Sequence, residues 1–565
     1  MQTAQELAPT HPAGIVAARL RDPSRVAVRF PSGDGWATWT RNDLAAAVGR
    51  RVDALRRAGL RPGDRVGVVG PTSVDWLVAG YAVQAAGGVL VGAYPTSAPA
   101  QLRYVLGHSG SRIVFAATAV LDRLLPVLDD LPDLERVVVM DGPAPEAAAT
   151  PALQGLDDFL DGAVTADDGA VAVLAAAVEA LDPEGLCSIV YTSGTTGDPK
   201  GALHSFRTIA QVADTVAPAM GYTEDDQYVV HLPLNHLAEQ TYGLVLGAHM
   251  GWTLNFVRSP ATLLDDLAAL RPTVMFGVPR VFEKVRSAVL EANLRGAAAA
   301  GHPLAGFGLD RLRVMVCGGA PLTPEMVEFF GVHGVKMVNS YGMTEGNAIA
   351  TAWDRPPRGD TCGGPLPGVQ IRLAPDGEVL VRSRGTCLGY FRDPDASAEL
   401  FTDDGYIRTG DLGEWTPEGD VRLVGRKKEI IITAGGKNMS PAMIEHELTR
   451  GPFVNQAVVV GNGRRYLVAV LEPAAEVLAE HLGRVDPPAP DGGYEAVVAD
   501  PRVAALLEDA VAAANANLSQ PEQIKRWAIL PHRFGPGDPV LTPTMKIRRN
   551  EFEVRLGDLI EELYQ

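Results

Sequence analysis

Cysteine is scarce in this chain. The four, Cys187, Cys317, Cys362 and Cys387, stand far apart with no CxxC pair, which excludes a disulfide framework and offers no zinc-ligand spacing. A reducing, cytoplasmic setting is the expectation. Also missing is any run approaching the ~18 apolar residues that an integral membrane helix needs. The most apolar stretch, GAVAVLAAAVEAL at 169–181, is short and alanine-rich and reads as a surface or packing helix. The opening residues, MQTAQELAPTHPAG, lack the basic start and apolar run of a secretory leader. Positive charge is outnumbered: 68 acidic against 50 basic side chains leave a net charge of −18, so no broad basic face gathers nucleic acid or anionic lipid.

What is present is a large globular composition. At 565 residues the chain exceeds a single core, and 46% hydrophobic with 21% charged residues argues against global disorder. VAVRFPSGDGWATWT, 26–40, has two alternating runs around PSGDG and reads as a hairpin. Thr40 with Asp43 marks a helix start, Leu44, Val48, Val52 and Leu55 recur at helical spacing, and Gly59 stops the helix. RVGVVG, a helical stretch over 73–86 and GVLVGA then read as strand, helix, strand, for which a parallel sheet is the economical outcome. Apolar strands followed by helices recur at 112–116, 273–276 and 312–316. After about Gly425 the texture turns to short strands and hairpins, with Ser440 and Pro441 opening a helix and GNGRR joining two apolar runs. The expected fold class is α/β: a large, subdivided N-terminal layered domain over 1–425 and a smaller, mobile C-terminal α+β domain over 426–565.

One segment carries chemistry on its face. YTSGTTGDPKG, 191–201, packs glycines and hydroxyls ahead of a single lysine, which suits backbone and side-chain donors converging on a phosphate chain. It is not the GxxxxGK[ST] loop of NTPases, because Pro199 holds the second glycine position counted from Gly194. Five further stretches follow in order: GGAPL (318–322), NSYGMTEG (339–346), YIRTGDLG (406–413), GRKKEIIITAGGKNMSP (425–441) and LTPTMKIRR (541–549). Together they resemble the adenylate-forming, AMP-binding superfamily of acyl-CoA synthetases, adenylation domains and luciferases over nearly the whole chain.

That resemblance implies ATP and Mg²⁺ as cofactors and coenzyme A as co-substrate. It places Thr192, Ser193, Gly194, Thr195, Thr196, Gly197 and Lys200 on the phosphates, and Gly319, Ala320, Pro321, Asn339, Ser340, Gly342 and Met343 around the nucleotide. Tyr341 lies against the adenine, where a ring offers stacking area at low entropy cost. Thr344 contacts phosphate, and Glu345 with Thr195 holds the metal. Asp411 accepts from both ribose hydroxyls and Arg426 reaches sugar and phosphate oxygens. Lys546 lies across the charge that grows at the α-phosphate when a carboxylate attacks. The small domain turns about Lys428 between two half-reactions, and Gly435, Gly436 and Lys437 then approach the site to line a pantetheine channel.

The phrases HLPLNHLAEQ (231–240), FGVPRVFEKV (276–285) and the closing LTPTMKIRRNEFEVRLGDLIEELY look most like long-chain fatty acyl-CoA synthetases. His236 stays open between gate and scaffold. A tryptophan gate of some members falls by offset on Gln240 and is not transferred; Glu239 and Gln240 instead accommodate a polar acid or point into a hydrogen-bonded shell. The expected function is ATP-dependent activation of a small-molecule carboxylic acid through an acyl-adenylate, then thioester formation with coenzyme A. The alternative is an adenylating enzyme with a carrier-protein thiol or amine acceptor, or with a non-carboxylate oxyanion. A homo-oligomer is left open.

Overall fold

The computed structural model describes residues 10–145, 153–192, 198–294, 303–320, 322–434, 437–483, 493–535, 538–542 and 546–565. Two large sheets carry the first part of the chain. The nine-stranded sheet runs Gly364–Pro365, Asn347–Thr351, Lys336–Met343, Val314–Gly318, Val274–Gly277, Gln227–Val230, Thr253–Phe256, Val26–Ser32, Gly35–Thr40. The seven-stranded sheet runs Leu153–Gly155, Arg136–Val139, Ile113–Ala116, Arg65–Val69, Val89–Ala93, Leu186–Thr192, Lys200–Ser205. Both are parallel through the middle, and antiparallel pairs close both edges of the first and one edge of the second. Their interior strands explain why: VMVCG and VLVGA are buried at every residue, the continuous apolar run of a sheet covered by helices on both faces.

The first hairpin and helix form as the sequence predicts. Thr40 Oγ1 accepts from the Asp43 amide at 3.1 Å and Asp43 Oδ2 accepts from the Thr40 amide at 2.8 Å, a reciprocal cap on helix Arg41–Arg57. Gly59, at φ 82°, takes the left-handed turn beyond its end. The alanine-rich stretch is helix Asp167–Glu179, packed closely on Arg41–Arg57. One expectation needs correcting. Strand Ile113–Ala116 leads into short helical turns over 118–130, where Pro126 interrupts, and not into a full helix.

A four-stranded antiparallel sheet, Gln370–Leu373, Glu378–Arg382, Ile407–Trp415, Val421–Arg426, follows the layered part. Its inward positions include the polar Glu378, Thr409 and Asp411, so the sequence pattern does not reveal it. The C-terminal three-stranded sheet, Val454–Val460, Leu467–Pro473, Ile524–Ile529, separates two cores by the period-two rule. Ala457, Val459, Ala469 and Leu471 join helices Pro441–Leu448 and Pro501–Asn517 on one face; Val458, Val460, Val468 and Val470 meet Phe552 and Ile560 on the other. The GNGRR hairpin forms as expected, its antiparallel strands joined through 461–466. Val485 to Gly492 lie outside the described residues, and Gly493 opens helix Gly493–Val498. This unit touches the large one through Arg280 Nη2, which donates to the Asn455 carbonyl at 2.6 Å, and through the Arg450–Glu325 ion pair. Among the described residues no helix is long and apolar enough to cross a membrane, and all four cysteines are free and buried.

Gly49 sets the helix-on-helix approach. On propensity alone, alanine there would stabilise the helix by about 1 kcal/mol, but its Cβ would lie 2.0 Å from the Ala170 carbonyl oxygen. Overpacking against backbone wins. Gly49→Ala is expected to destabilise the large domain by about 1–3 kcal/mol, read as a lower midpoint in thermal unfolding.

Candidate active site

The site begins where strand Lys336–Met343 turns back into Asn347–Thr351. Asn347 takes a left-handed φ of 57°, tolerable because its short amide bonds locally: Oδ1 accepts from the Ala348 amide at 3.0 Å. This tight return brings Tyr341, Thr344 and Glu345 to one end of the sheet. Tyr341 is 5% exposed, and its hydroxyl donates to Asp411 Oδ2 at 2.7 Å. Asp411 faces Arg426 across the small antiparallel sheet, and Arg426 Nε approaches Oδ1 at 2.7 Å. Burial nevertheless raises the Asp411 carboxyl above the usual carboxylate range, outweighing the pull of Arg426 and the Tyr341 hydroxyl.

Glu345 is 8% exposed and Oε1 accepts from the Tyr390 hydroxyl at 2.7 Å. Thr344 is held through its carbonyl, which accepts from His204 Nε2 at 2.9 Å. Burial pushes His204 down to about 4, so the ring is neutral, and this bond sets the Nε2–H tautomer. On the same strand as His204, Lys200 lies 3.9 Å from Asp393 Oδ2 and 5.2 Å over the Tyr390 ring. Thr192 Oγ1 makes a long bond to the Lys200 carbonyl, 3.4 Å.

Lys546 enters from the small domain. Thr542 and Lys546 exchange two bonds, the Thr542 amide to the Lys546 carbonyl at 2.8 Å and the Lys546 amide to Thr542 Oγ1 at 3.0 Å, which pin the backbone ahead of helix Arg549–Arg555. The side chain stays accessible, yet protein crowds its amine. That desolvation, then Arg426, lowers its pKa, while Glu429 and Asp411 oppose the shift. Crowding of the ring and, after it, the same amine together bring the surface-reaching His236 down to about 4. Lys546 therefore lies within electrostatic reach of Arg426, Asp411 and His236.

The other expected residues are placed as follows. Asn339 Nδ2 donates to the Thr361 carbonyl at 3.2 Å, with Ser340, Gly342 and Met343 on the same strand. Gly319, at φ 80°, and Ala320 are exposed just beyond strand Val314–Gly318. Lys428 is exposed in the turn Lys427–Glu429, immediately after Arg426. Lys437 is exposed and donates to Ser519 Oγ at 3.2 Å within the small domain. Ser193 to Gly197, Pro321, Gly435 and Gly436 lie outside the described residues. His236 plays a structural part, since its Nδ1 accepts from the Ala238 amide at 3.2 Å and caps the short helix Leu237–Glu239.

Glu239 and Gln240 are 0% and 1% exposed and open a wide, π-helical turn, Gln240–Leu246. Gln240 Oε1 accepts from Ser188 Oγ at 3.2 Å. The Glu239 carboxyl sits against the Tyr228 hydroxyl and the Leu232 backbone without a bond of normal geometry to either. Burial pushes it up to about 8. Tyr390 and His204 are invisible in the sequence, since neither stands in a stretch whose local pattern suggests chemistry.

The arrangement suits one metal ion carried in on phosphates. Among the described residues no three His, Cys, Asp or Glu side chains cluster to cage an ion, whereas Glu345 offers one buried carboxylate, the kind of partner that suits Mg²⁺ already bound to phosphates.

These features define a two-domain nucleotide-activating enzyme, and the chain belongs to the AMP-binding enzyme family. It matches that family over residues 16–391 and the AMP-binding enzyme C-terminal domain over 428–565. The long-chain-fatty-acid–CoA ligase FadD15 of Mycobacterium tuberculosis is 32% identical, with 94% of this chain and 92% of that protein covered. The long-chain-fatty-acid–CoA ligase ACSBG1 of Mus musculus is 26% identical, with 95% and 83% covered. ATP-bound MatB from Rhodopseudomonas palustris shares the fold at TM-score 0.71 and 24% identity, covering 97% of this chain and 99% of that one. The adenylation domain of a Mycobacterium chelonae carboxylate reductase does so at 0.77 and 22%, covering 100% and 92%.

Glu239 gives a pH signature with a definite sign. Its folded pKa, about 8, lies above the ordinary 4.5, so between these values the folded state holds a proton that the unfolded chain has released. Stability contributed by this group is present below pH 4.5 and lost as pH rises through 8. Glu239→Gln should match the wild type near pH 5 and exceed it by a few degrees in thermal midpoint at pH 8.5; equal midpoints at both would show the carboxyl is not desolvated.

Proposed function

We propose that the protein joins a long-chain fatty acid to coenzyme A in two steps within one cleft. A carboxylate oxygen bonds to the α-phosphorus of ATP as the bond to pyrophosphate breaks, giving an acyl-adenylate. The coenzyme A thiol, losing its proton, then bonds to the acyl carbon as AMP leaves. The observation that carries this reading is the meeting of Lys546 from the small domain with Asp411 and Arg426, beside the Tyr341 and Glu345 turn. The particular acid class rests on the fatty-acid–CoA ligases among the relatives.

Each side chain has a chemical role. Tyr341 presents its ring to the adenine, with its hydroxyl anchored on Asp411. The two Asp411 oxygens keep lone pairs for the ribose hydroxyls beyond those used by Tyr341 and Arg426. Glu345 and Thr195 would hold Mg²⁺, which when bound would supply neutralisation of phosphate charge. Lys200 and Thr344 meet the outgoing phosphates. Lys546 lies over the charge that builds at the α-phosphate, and crowding strengthens it because less water screens the amine. The neutral His236 borders the acyl entrance without adding a charge. We place the domain boundary between 425 and 426, with Lys428 as hinge, so that Gly435, Gly436 and Lys437 reach the cleft for the second step. That step requires parting Arg280 from Asn455 and Arg450 from Glu325.

Pyrophosphate release with a panel of fatty, aromatic and polar acids tests the acid class, and free coenzyme A should accelerate AMP release. Failure of coenzyme A to do so would transfer the second step to another acceptor. Lys546→Ala should slow adenylation by about 10³-fold, the worth of one charge near 4 Å at an effective dielectric of ~20, while ATP affinity changes little.

A further inference from the structure

Two groups that the proposed function assigns to phosphate and metal, Lys200 and Glu345, come from different sheets, and one side chain touches both. Residues 387–391 run along the free edge of strand Lys200–Ser205. The Leu388 amide donates to the Leu203 carbonyl at 2.8 Å, the Leu203 amide to Gly389 at 2.9 Å, and the Phe391 amide to Gly201 at 2.8 Å. Tyr390 is thus fixed in register opposite Ala202, and its own amide donates to Ser397 Oγ at 2.8 Å. From this clipped backbone the ring lies under the Lys200 amine, 5.2 Å to its centre, and the hydroxyl donates to Glu345 Oε1 at 2.7 Å. The Cys387 amide, on the same segment, donates to the Glu345 carbonyl at 2.7 Å. Asp393, which caps helix Pro394–Leu400, stands 3.9 Å from the same lysine.

We propose that Tyr390 is a positioning residue that orients the Glu345 carboxylate for the nucleotide-bound cation and holds Lys200 beside it. The inference rests on the roles given above to Glu345 and Lys200. One donated bond uses a single lone pair of a carboxylate that has about four, so it turns the group without using up its capacity for a cation. The ring offers the lysine an attraction that leaves its N–H groups directed to phosphate oxygens.

Tyr390→Phe removes the hydroxyl and keeps the ring. It should raise the Mg²⁺ concentration giving half-maximal pyrophosphate release by about 10-fold, as removal of a metal ligand's hydrogen-bond partner generally does. Binding of Mn²⁺ with a non-hydrolysable ATP analogue, followed by water-proton relaxation, should weaken in parallel, while AMP affinity holds. Tyr390→Leu should in addition weaken the analogue itself relative to AMP. These constants are read from folded molecules alone, so a partly unfolded variant does not obscure them. Wild-type Mg²⁺ and Mn²⁺ constants in Tyr390→Phe overturn the proposal if Glu345→Gln shifts both. If Glu345→Gln shifts neither, the assignment of Glu345 to the metal falls first, and with it the basis for Tyr390.

Discussion

The carboxylate of Asp411 is the tie on which the site depends. It is buried, bound by the Tyr341 hydroxyl from the nine-stranded sheet and by Arg426 from its own antiparallel sheet. A buried carboxylate without such partners would be unstable, so the two sheets must approach in one register for the fold to hold it. That register also sets Arg426 at the end of its strand, beside the boundary proposed for the small domain. The nucleotide site and the joint between the domains are consequently one construction.

Charge in the cleft is arranged by exclusion of water more than by number. The chain is strongly acidic overall, yet Lys546 lies within electrostatic reach of Arg426, and Lys200 stands over the Tyr390 ring that bonds Glu345. His204 is neutral because burial denies it a proton, and His236, although its side chain reaches the surface, is held down by the protein crowding its ring and by Lys546, so both act as fixed hydrogen-bonding groups. His204 fixes the Thr344 carbonyl and His236 caps a helix. Beneath them, Glu239 shows how far desolvation reaches: an acid held at about 8 beside Tyr228 lies in the core behind the π-helical turn. Such turns interrupt regular packing and are common near functional sites.

The layered fold was largely legible. VLVGA and VMVCG declared buried parallel strands by composition, the Thr40 and Asp43 pair announced a helix start, and the alternating hairpin of 26–40 formed as read. The sheet of 370–426 was not legible, because inward positions of its strands hold Glu378, Thr409, Asp411 and Gly413, so burial alternates along Ile407–Trp415 without an apolar pattern to mark it. The same holds for the helical turns after Ile113–Ala116, where proline overrides an apolar pattern.

Local chemistry was written into short stretches of the chain: a phosphate-type loop, a YGMTE turn, a TGD strand and a lysine near the C-terminus, because glycine, hydroxyl and charge spacing act over a few residues. Which of these meet, and in what state, was settled by folding. Tyr390 reaches Glu345 from 45 residues away, and Tyr341 reaches Asp411 from 70. Such pairings arise from sheet order and interdomain packing, and the shifted protonation of Glu239 and Lys546 arises from desolvation. Burial belongs to the whole fold, so no short stretch of the chain encodes it.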